Sequence, residues 1–198
     1  PKLLDNDQYT SVINERHYDR LNGYLDEARE RGVKVIPLNP ANEDFSAQQD
    51  TRKIPPTLIA EPADDMKVMQ EELFGPLLPI KTYKEFDETI NFVNANPRPL
   101  AAYYFGEDQS EEEAVLTRTT SGGACINDVI MQVMQEELPF GGVGPSGMGA
   151  YHGFAGFKNF SHSKSVYRQA NVNVGKLGGM LPPYGKATQS TIKMQMKK

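Results

Sequence analysis

Leu77-Leu78-Pro79-Ile80-Lys81-Thr82-Tyr83, then Lys84 to Asn94, then Leu100-Ala101-Ala102-Tyr103-Tyr104-Phe105 is the stretch on which the fold turns. The first piece is a nearly unbroken apolar run, the pattern of a strand covered on both faces. Lys84 to Asn94 carries Phe86, Ile90 and Val93 at helical spacing along one side. Leu100 to Phe105 reads as a second buried strand. Strand, helix, strand predicts a right-handed crossover between parallel strands.

The same alternation extends in both directions. Downstream, Ser110 with Glu113 predicts a capping box that opens a helix to about Thr119, and Gly123 to Asn127 reads as another strand. Upstream, Ile13, His17, Leu21, Tyr24, Leu25 and Ala28 recur at three- and four-residue steps, which predicts a helix over Ser11 to Arg31. Arg29 and Arg31 suit its last turn, and Gly32 is placed as the left-handed stop. Val33 to Leu38 and Ile54 to Ala60 read as strands, the second entered through Pro55 and Pro56. Asn39 to Gln49 is a polar loop. Asp64 to Glu72 reads as a short helix that ends at Leu73-Phe74-Gly75-Pro76. The expected fold is therefore α/β, a mostly parallel open sheet covered by helices. Functional loops then gather at the carboxyl ends of the strands.

Beyond Asn127 the character changes. Leu138 to Gly149 holds five glycines, so backbone shape and not side-chain packing sets this loop. A short helix around Tyr151 to Phe157 and a strand over Ser161 to Arg168 follow. From Ala170 on, Gly, Pro, Gln, Ser and Lys dominate, and Lys176, Lys186, Lys193, Lys197 and Lys198 meet no acidic residue. That composition predicts a mobile basic tail. The expected division is 1–160, 161–169 and 170–198.

Bulk properties exclude several classes. Lys and Arg total 21 against 26 for Asp and Glu, a formal net charge of −5, which argues against a nucleic-acid partner. No apolar stretch approaches the roughly 20 residues that span a bilayer, so no membrane partner is expected. Pro1 to Tyr9 is polar and acidic, unlike a signal peptide. The single cysteine, Cys125, permits no intrachain disulfide and points to the cytoplasm.

Cys125 follows a buried apolar run with no cation beside it, the setting of an inert small hydrophobe. His17, His152 and His162 are too scattered to suggest a metal site. Gly142-Val143-Gly144-Pro145-Ser146-Gly147 spells a dinucleotide fingerprint but lacks the strand before it and the acidic residue after it; it reads as a shaping loop. Ser146 misses the nucleophile elbow because Met148 stands where glycine is required. A Ser146/His152 hydrolase is the alternative enzyme.

Several blocks occur in a fixed order: Glu71-Glu72-Leu73-Phe74-Gly75-Pro76, Pro99-Leu100-Ala101, Ser121 to Val129, Pro139 to Gly144, Ser146 to Gly153, and Phe160-Ser161-His162. Together they resemble the aldehyde dehydrogenase superfamily over roughly residues 5 to 169. Asn127-Asp128-Val129 and Gly149-Ala150-Tyr151-His152-Gly153 are similar to its class 3 branch. Tyr9 to Tyr18 and Arg52 to Thr57 look most like the bacterial coniferyl aldehyde dehydrogenases.

The resemblance implies NAD or NADP as cofactor and oxidation of an aldehyde, aromatic and coniferyl-like, to a carboxylic acid through a Cys thioester. Glu72 matches the carboxylate that holds the nicotinamide ribose, and an ionised carboxylate can accept from both hydroxyls. Phe74 matches the ring beside the nicotinamide. Phe140, Ile130 and Met131 match or adjoin the aldehyde pocket, with Met134 beside them, and Asn127 matches a brace near it. The plain readings are a surface carboxylate for Glu72, a core side chain for Phe74, packing under the glycines for Phe140, and an ordinary buried surface for Ile130, Met131 and Met134. The family's nucleophile precedes Glu71-Glu72, so the resemblance implies no catalytic residue in this chain. It implies a C-terminal, inactive part of a longer enzyme, dimerising through Ser161 to Arg168. A long-chain aldehyde dehydrogenase fragment and a non-catalytic interaction module are the alternatives.

Overall fold

The computed structural model describes residues 2–46, 48 and 51–197. The polar loop read over Asn39 to Gln49 and the last lysine of the basic tail lie in part outside them. The chain divides into two compact units, Pro1–Asn96 and Pro97–Lys198.

In the first unit, α1 (Glu15–Glu30) is followed by β1 (Lys34–Pro37), β2 (Thr57–Ala60), α2 (Lys67–Gln70), β3 (Leu77–Ile80) and α3 (Phe86–Ala95). The α1 helix starts later than its periodicity predicts. Asn14 caps it, its side chain accepting from the His17 N–H at 3.0 Å. Ile13 thus precedes the helix and is 80% exposed, off the packing face assigned to it. Gly32 is left-handed at φ 71°, as its position after the helix predicts.

Leu21, Tyr24, Leu25 and Ala28 of α1 pack with Ile54, Ile59, Met66, Val68 and Leu77 to form the core. Each aliphatic side chain buried in this way contributes about 1.5–3 kcal/mol. The sheet runs β1-β2-β3. β2 and β3 are parallel, Thr57 opposite Leu77, and α2 lies in the connection between them. β1 enters antiparallel, Lys34 opposite Ala60, and the described residues between β1 and β2 form no crossover helix. β3 is not covered on both faces: Leu77 is buried while Leu78 is 57% exposed. Alternation, hidden in the sequence by Leu beside Leu, emerges here.

The second unit contains β4 (Ala101–Tyr104), α4 (Gln109–Arg118), β5 (Gly123–Ile126), α5 (Met131–Met134), α6 (Gly153–Asn159), α7 (Val174–Leu177) and α8 (Lys186–Met196). β4 and β5 are parallel, Ala101 opposite Gly123, with α4 as the crossover. The cap of α4 is not Ser110. Asp108 takes that place, accepting from Ser110 N–H at 2.8 Å and Glu111 N–H at 3.3 Å. A carboxylate two residues earlier reaches both free amides, and the Ser110 hydroxyl also donates to it. Tyr104 is buried and donates to Glu111 at 2.9 Å. Burial first, and that carboxylate second, push the phenol up to about 12.

One expectation for the C-terminal part needs correction, and a single chain does not test the other. Among the described residues Ser161 to Arg168 pairs with no strand, and its side chains are exposed. Backbone pairing requires a neighbour, which composition alone does not supply. Where a mobile tail is expected, α7 and α8 form. Asn173 caps α7, and the Thr188 and Thr191 hydroxyls donate to the carbonyls of Gly179 and Gly178 at 2.7 and 2.8 Å. These bonds link residues up to 13 apart in the chain, beyond the reach of a composition argument.

Candidate functional site

The segment from Glu71 to Pro76 is the centre of the first unit's candidate site. α2 stops at Gln70, so the carbonyls that follow have no helical partner. Arg20 of α1 supplies one. Its Nη1 donates to the Glu72 carbonyl at 3.0 Å, and its Nη2 donates to the Leu73 carbonyl at 2.6 Å. The same guanidinium donates to the Tyr24 hydroxyl at 2.8 Å and lies 5.3 Å from the centre of that ring. The Tyr24 hydroxyl in turn donates to the Glu71 carboxylate at 2.6 Å. Burial, and then this carboxylate, raise the Tyr24 phenol above its ordinary range.

Of the adjacent acids, Glu71 is therefore engaged and Glu72 is not. The Glu72 carboxylate is exposed and has no hydrogen bond or ion pair among the described residues. Two residues on, Phe74 takes a left-handed backbone at φ 48° and leaves its ring 74% exposed. Both features are unfavourable for phenylalanine: the backbone costs roughly 1–3 kcal/mol, and the ring gains nothing from burial. The reading of Phe74 as a core side chain fails on that exposure.

Gly75 follows because a Cβ there would collide with the methyl groups of Leu21. Pro76 then hands the chain to β3, its carbonyl accepting from Thr57 N–H at 2.8 Å. Beside the turn is an open cavity of about 420 Å³ lined by Tyr9, Val12, Ile13, Ile54, Phe74 and Pro76. Tyr9 is fixed in that wall by donating to the Ile54 carbonyl at 2.6 Å. The turn thus presents an exposed carboxylate at Glu72, and two residues on the Phe74 ring lines a concave, largely apolar space.

In the second unit, Asn127 is left-handed at φ 54° and joins the end of β5 to the loop after β4. Its side chain donates to the Gly106 carbonyl and accepts from the Gly106 N–H, both at 2.9 Å. Ile130 is also left-handed, at φ 68°, where a β-branched residue is a conformational outlier. It opens α5 and is 55% exposed, with Met131 and Met134 exposed after it.

Phe140 and Tyr151 exchange two backbone hydrogen bonds of 2.9 Å across the base of the glycine loop. Their rings meet edge-on at 5.8 Å, and His152 stacks on Phe140 at 6.1 Å. Gly142 admits no side chain, because a Cβ would run into the Ser146 backbone. A cavity of about 310 Å³ is lined by Phe140, Gly142, Met148, Tyr151, Asn159 and Phe160.

The loop is a shaping element and no dinucleotide turn, since Gly147 opens no helix. The Ser146 hydroxyl accepts from Val143 N–H at 2.9 Å and donates to the Val143 carbonyl at 3.2 Å. It is engaged locally, and among the described residues no bond joins it to His152. The Cys125 thiol is buried, donates to Gln132 Oε1 at 2.7 Å and accepts from Gln132 N–H at 3.3 Å. A donating, enclosed thiol is a poor nucleophile. Thiol-reagent labelling of the folded chain should therefore be slow and should become fast on denaturation; rapid labelling without denaturant would show that the sulfur is open. Among the described residues, no three His, Cys, Asp or Glu side chains gather as a metal set, and no helix is long and apolar enough to cross a membrane.

Sequence reasoning singled out Glu72 and Phe74 but gave no part to the contacts of Arg20, Tyr24 and Glu71 that hold their turn. No local pattern distinguishes Arg20 from the other cations of α1. Its partners lie 52 and 53 residues away.

Residues 2–166 match the model of the aldehyde dehydrogenase family. The chain is 57% identical, over its whole length, to a probable coniferyl aldehyde dehydrogenase of Caulobacter vibrioides. It is 55% identical, over 94% of its length, to a coniferyl aldehyde dehydrogenase of a Pseudomonas species. It spans 41% and 38% of those relatives. Among solved structures, a substrate-bound Staphylococcus aureus AldH superposes with a TM-score of 0.73 at 37% identity, over 98% of this chain and 40% of that one. A betaine aldehyde dehydrogenase of the same organism, in complex with NAD+, gives 0.65 at 27% identity, over 76% of this chain and 29% of that one.

Proposed function

The chain belongs to the aldehyde dehydrogenase family, and we propose that it serves as the C-terminal part of a complete NAD- or NADP-dependent enzyme. That enzyme oxidises an aromatic, coniferyl-type aldehyde to the carboxylic acid. The observation that carries this reading is the turn itself: an exposed, unengaged carboxylate at Glu72 and, two residues on, the exposed ring of strained Phe74 in the wall of an open cavity. The level of identity to two coniferyl aldehyde dehydrogenases supports the aromatic substrate.

The residues suit the cofactor. Glu72 accepts hydrogen bonds from the vicinal hydroxyls of the nicotinamide ribose, and a carboxylate has lone pairs for both. Phe74 walls the reacting end, limiting tilt and excluding water. When bound, the cofactor supplies the two-electron acceptor for the aldehyde hydride. Ile130, Met131 and Phe140 contribute apolar surface to the aldehyde entrance, and Asn127 braces the loop at Gly106. The Cys nucleophile, whose thioester carries the acyl group to water, and the general base belong to the remainder of the enzyme. Ser161 to Arg168, unpaired within this chain, adds to the sheet of a second subunit in a homodimer. The single reduced cysteine suits a cytoplasmic enzyme.

The test compares this chain with the complete enzyme. With coniferyl aldehyde and NAD or NADP, the complete enzyme should produce reduced cofactor and this chain alone should produce none. Turnover by this chain alone would overturn the division of labour.

A further inference from the structure

We propose that Arg20 is a positioning residue for hydride transfer, acting through the backbone of the Glu72–Phe74 turn; this rests on the cofactor reading of that turn. The guanidinium is planar and its donors are fixed relative to one another. By donating to the consecutive carbonyls of Glu72 and Leu73, at 3.0 and 2.6 Å, it sets the peptide planes on both sides of Leu73. The second of those planes is the one about which the φ of Phe74 is defined. Arg20 therefore holds the φ of 48° that aims the ring outward.

The clamp is itself supported. The Tyr24 hydroxyl accepts from Arg20 at 2.8 Å and donates to Glu71 at 2.6 Å, which closes a loop of contacts from α1 to the start of the turn. The Arg20 Nε–H is buried without a partner among the described residues, so the terminal nitrogens alone place the group. Nη2 also lies 3.4 Å from His17 Nδ1. A lysine here presents a compact charge with no planar fork, and cannot hold two carbonyls and a phenol in the same geometry.

The consequence is a division among neighbouring residues. Glu71 and Tyr24 anchor the turn, Arg20 orients it, and Glu72 and Phe74 are left free to meet the cofactor. A purely structural Arg20 would affect stability alone. A positioning Arg20 controls how well the reacting atoms are aligned, and a displacement of about 1 Å costs on the order of 100-fold in rate.

The experiment uses R20M and R20K in the complete enzyme, each alone and combined with Glu72→Gln. Hydride transfer is followed by single-turnover kinetics, and amide exchange is measured across residues 71–75. R20M should slow hydride transfer by about 10- to 100-fold and speed exchange at the turn, with R20K recovering only part of either. R20M combined with Glu72→Gln should be little slower than the slower single variant, because both act on one unit. Unchanged exchange at 71–75 in R20M overturns the proposal, as does a loss confined to the unfolding midpoint. If exchange rises but Glu72→Gln leaves kinetics intact, the clamp stands and the cofactor reading of Glu72 falls instead.

Discussion

Glu72→Gln in the complete enzyme lowers cofactor affinity or the rate of hydride transfer by about 10- to 100-fold, with the thermal midpoint unchanged. The two halves of this result have separate causes. Gln keeps the size of Glu but removes the charge and replaces one acceptor oxygen by a donor. Hydrogen bonds to a charged acceptor contribute about 1.5–3 kcal/mol, and each 1.4 kcal/mol is tenfold. Stability is spared because the Glu72 side chain is exposed and unengaged among the described residues, and such surface substitutions stay within about 0.5 kcal/mol. Titration with NAD or NADP separates affinity from the transfer step. A variant with parental affinity and rate would return Glu72 to the plain reading, a surface carboxylate near a helix end. Glu71→Gln serves as the control: it weakens the Tyr24 contact by removing the charge of the acceptor, and its effect should appear in turn order before it appears in affinity.

Leu21→Ala should be among the more damaging single changes to the first unit, costing about 2–5 kcal/mol of stability. Leu21 is fully buried, and its methyl groups occupy the space against which Gly75 closes. Removing them leaves a void beneath the backbone of the Phe74–Gly75 turn, where neither α1 nor β3 can easily relax inward. Domains are commonly stable by only about 5–15 kcal/mol, so the loss is a large fraction of the total. Denaturant unfolding of parent and variant measures it. A shift within about 0.5 kcal/mol would mean that the core around α1 repacks freely. The substitution also connects packing to chemistry, because the surface that sets the core beneath Gly75 also sets the height of the Phe74 ring. Partial recovery by Leu21→Met, which conserves volume, is expected.

Much of the architecture was legible because its causes are local. The apolar spacing in α1 follows from the helical repeat, and Gly32 lies where the chain needs a left-handed stop. The crossover from β4 through α4 to β5 is visible as two short apolar runs with a capped, polar helix between them. Element ends were less legible. Asn14 starts α1 later than the expected Ser11, and Asp108 takes the cap of α4 from Ser110, because capping depends on which side chain reaches the free amides, and several candidates lie within a few residues. The exposure of Leu78 was not legible, since an apolar run does not say which of its faces will meet a partner. The helices after Ala170 were also missed: their composition is that of a solvated tail, and their supporting bonds join α8 to the Gly178–Gly179 carbonyls.

By itself the sequence determined which chemical groups were available: a carboxylate, a ring and a glycine in a short segment after a helix, and a cluster of five glycines from Gly141 to Gly149. Only the tertiary structure decided which carboxylate is free. Glu71 and Glu72 are the same side chain on adjacent positions, and they differ because Tyr24 reaches one and leaves the other. Likewise, the carbonyl that precedes Phe74 is gripped by Arg20, 53 residues before Leu73. Contacts of that span depend on how α1 packs on the sheet, and packing is a property of the whole core, with no counterpart in the order of neighbouring residues.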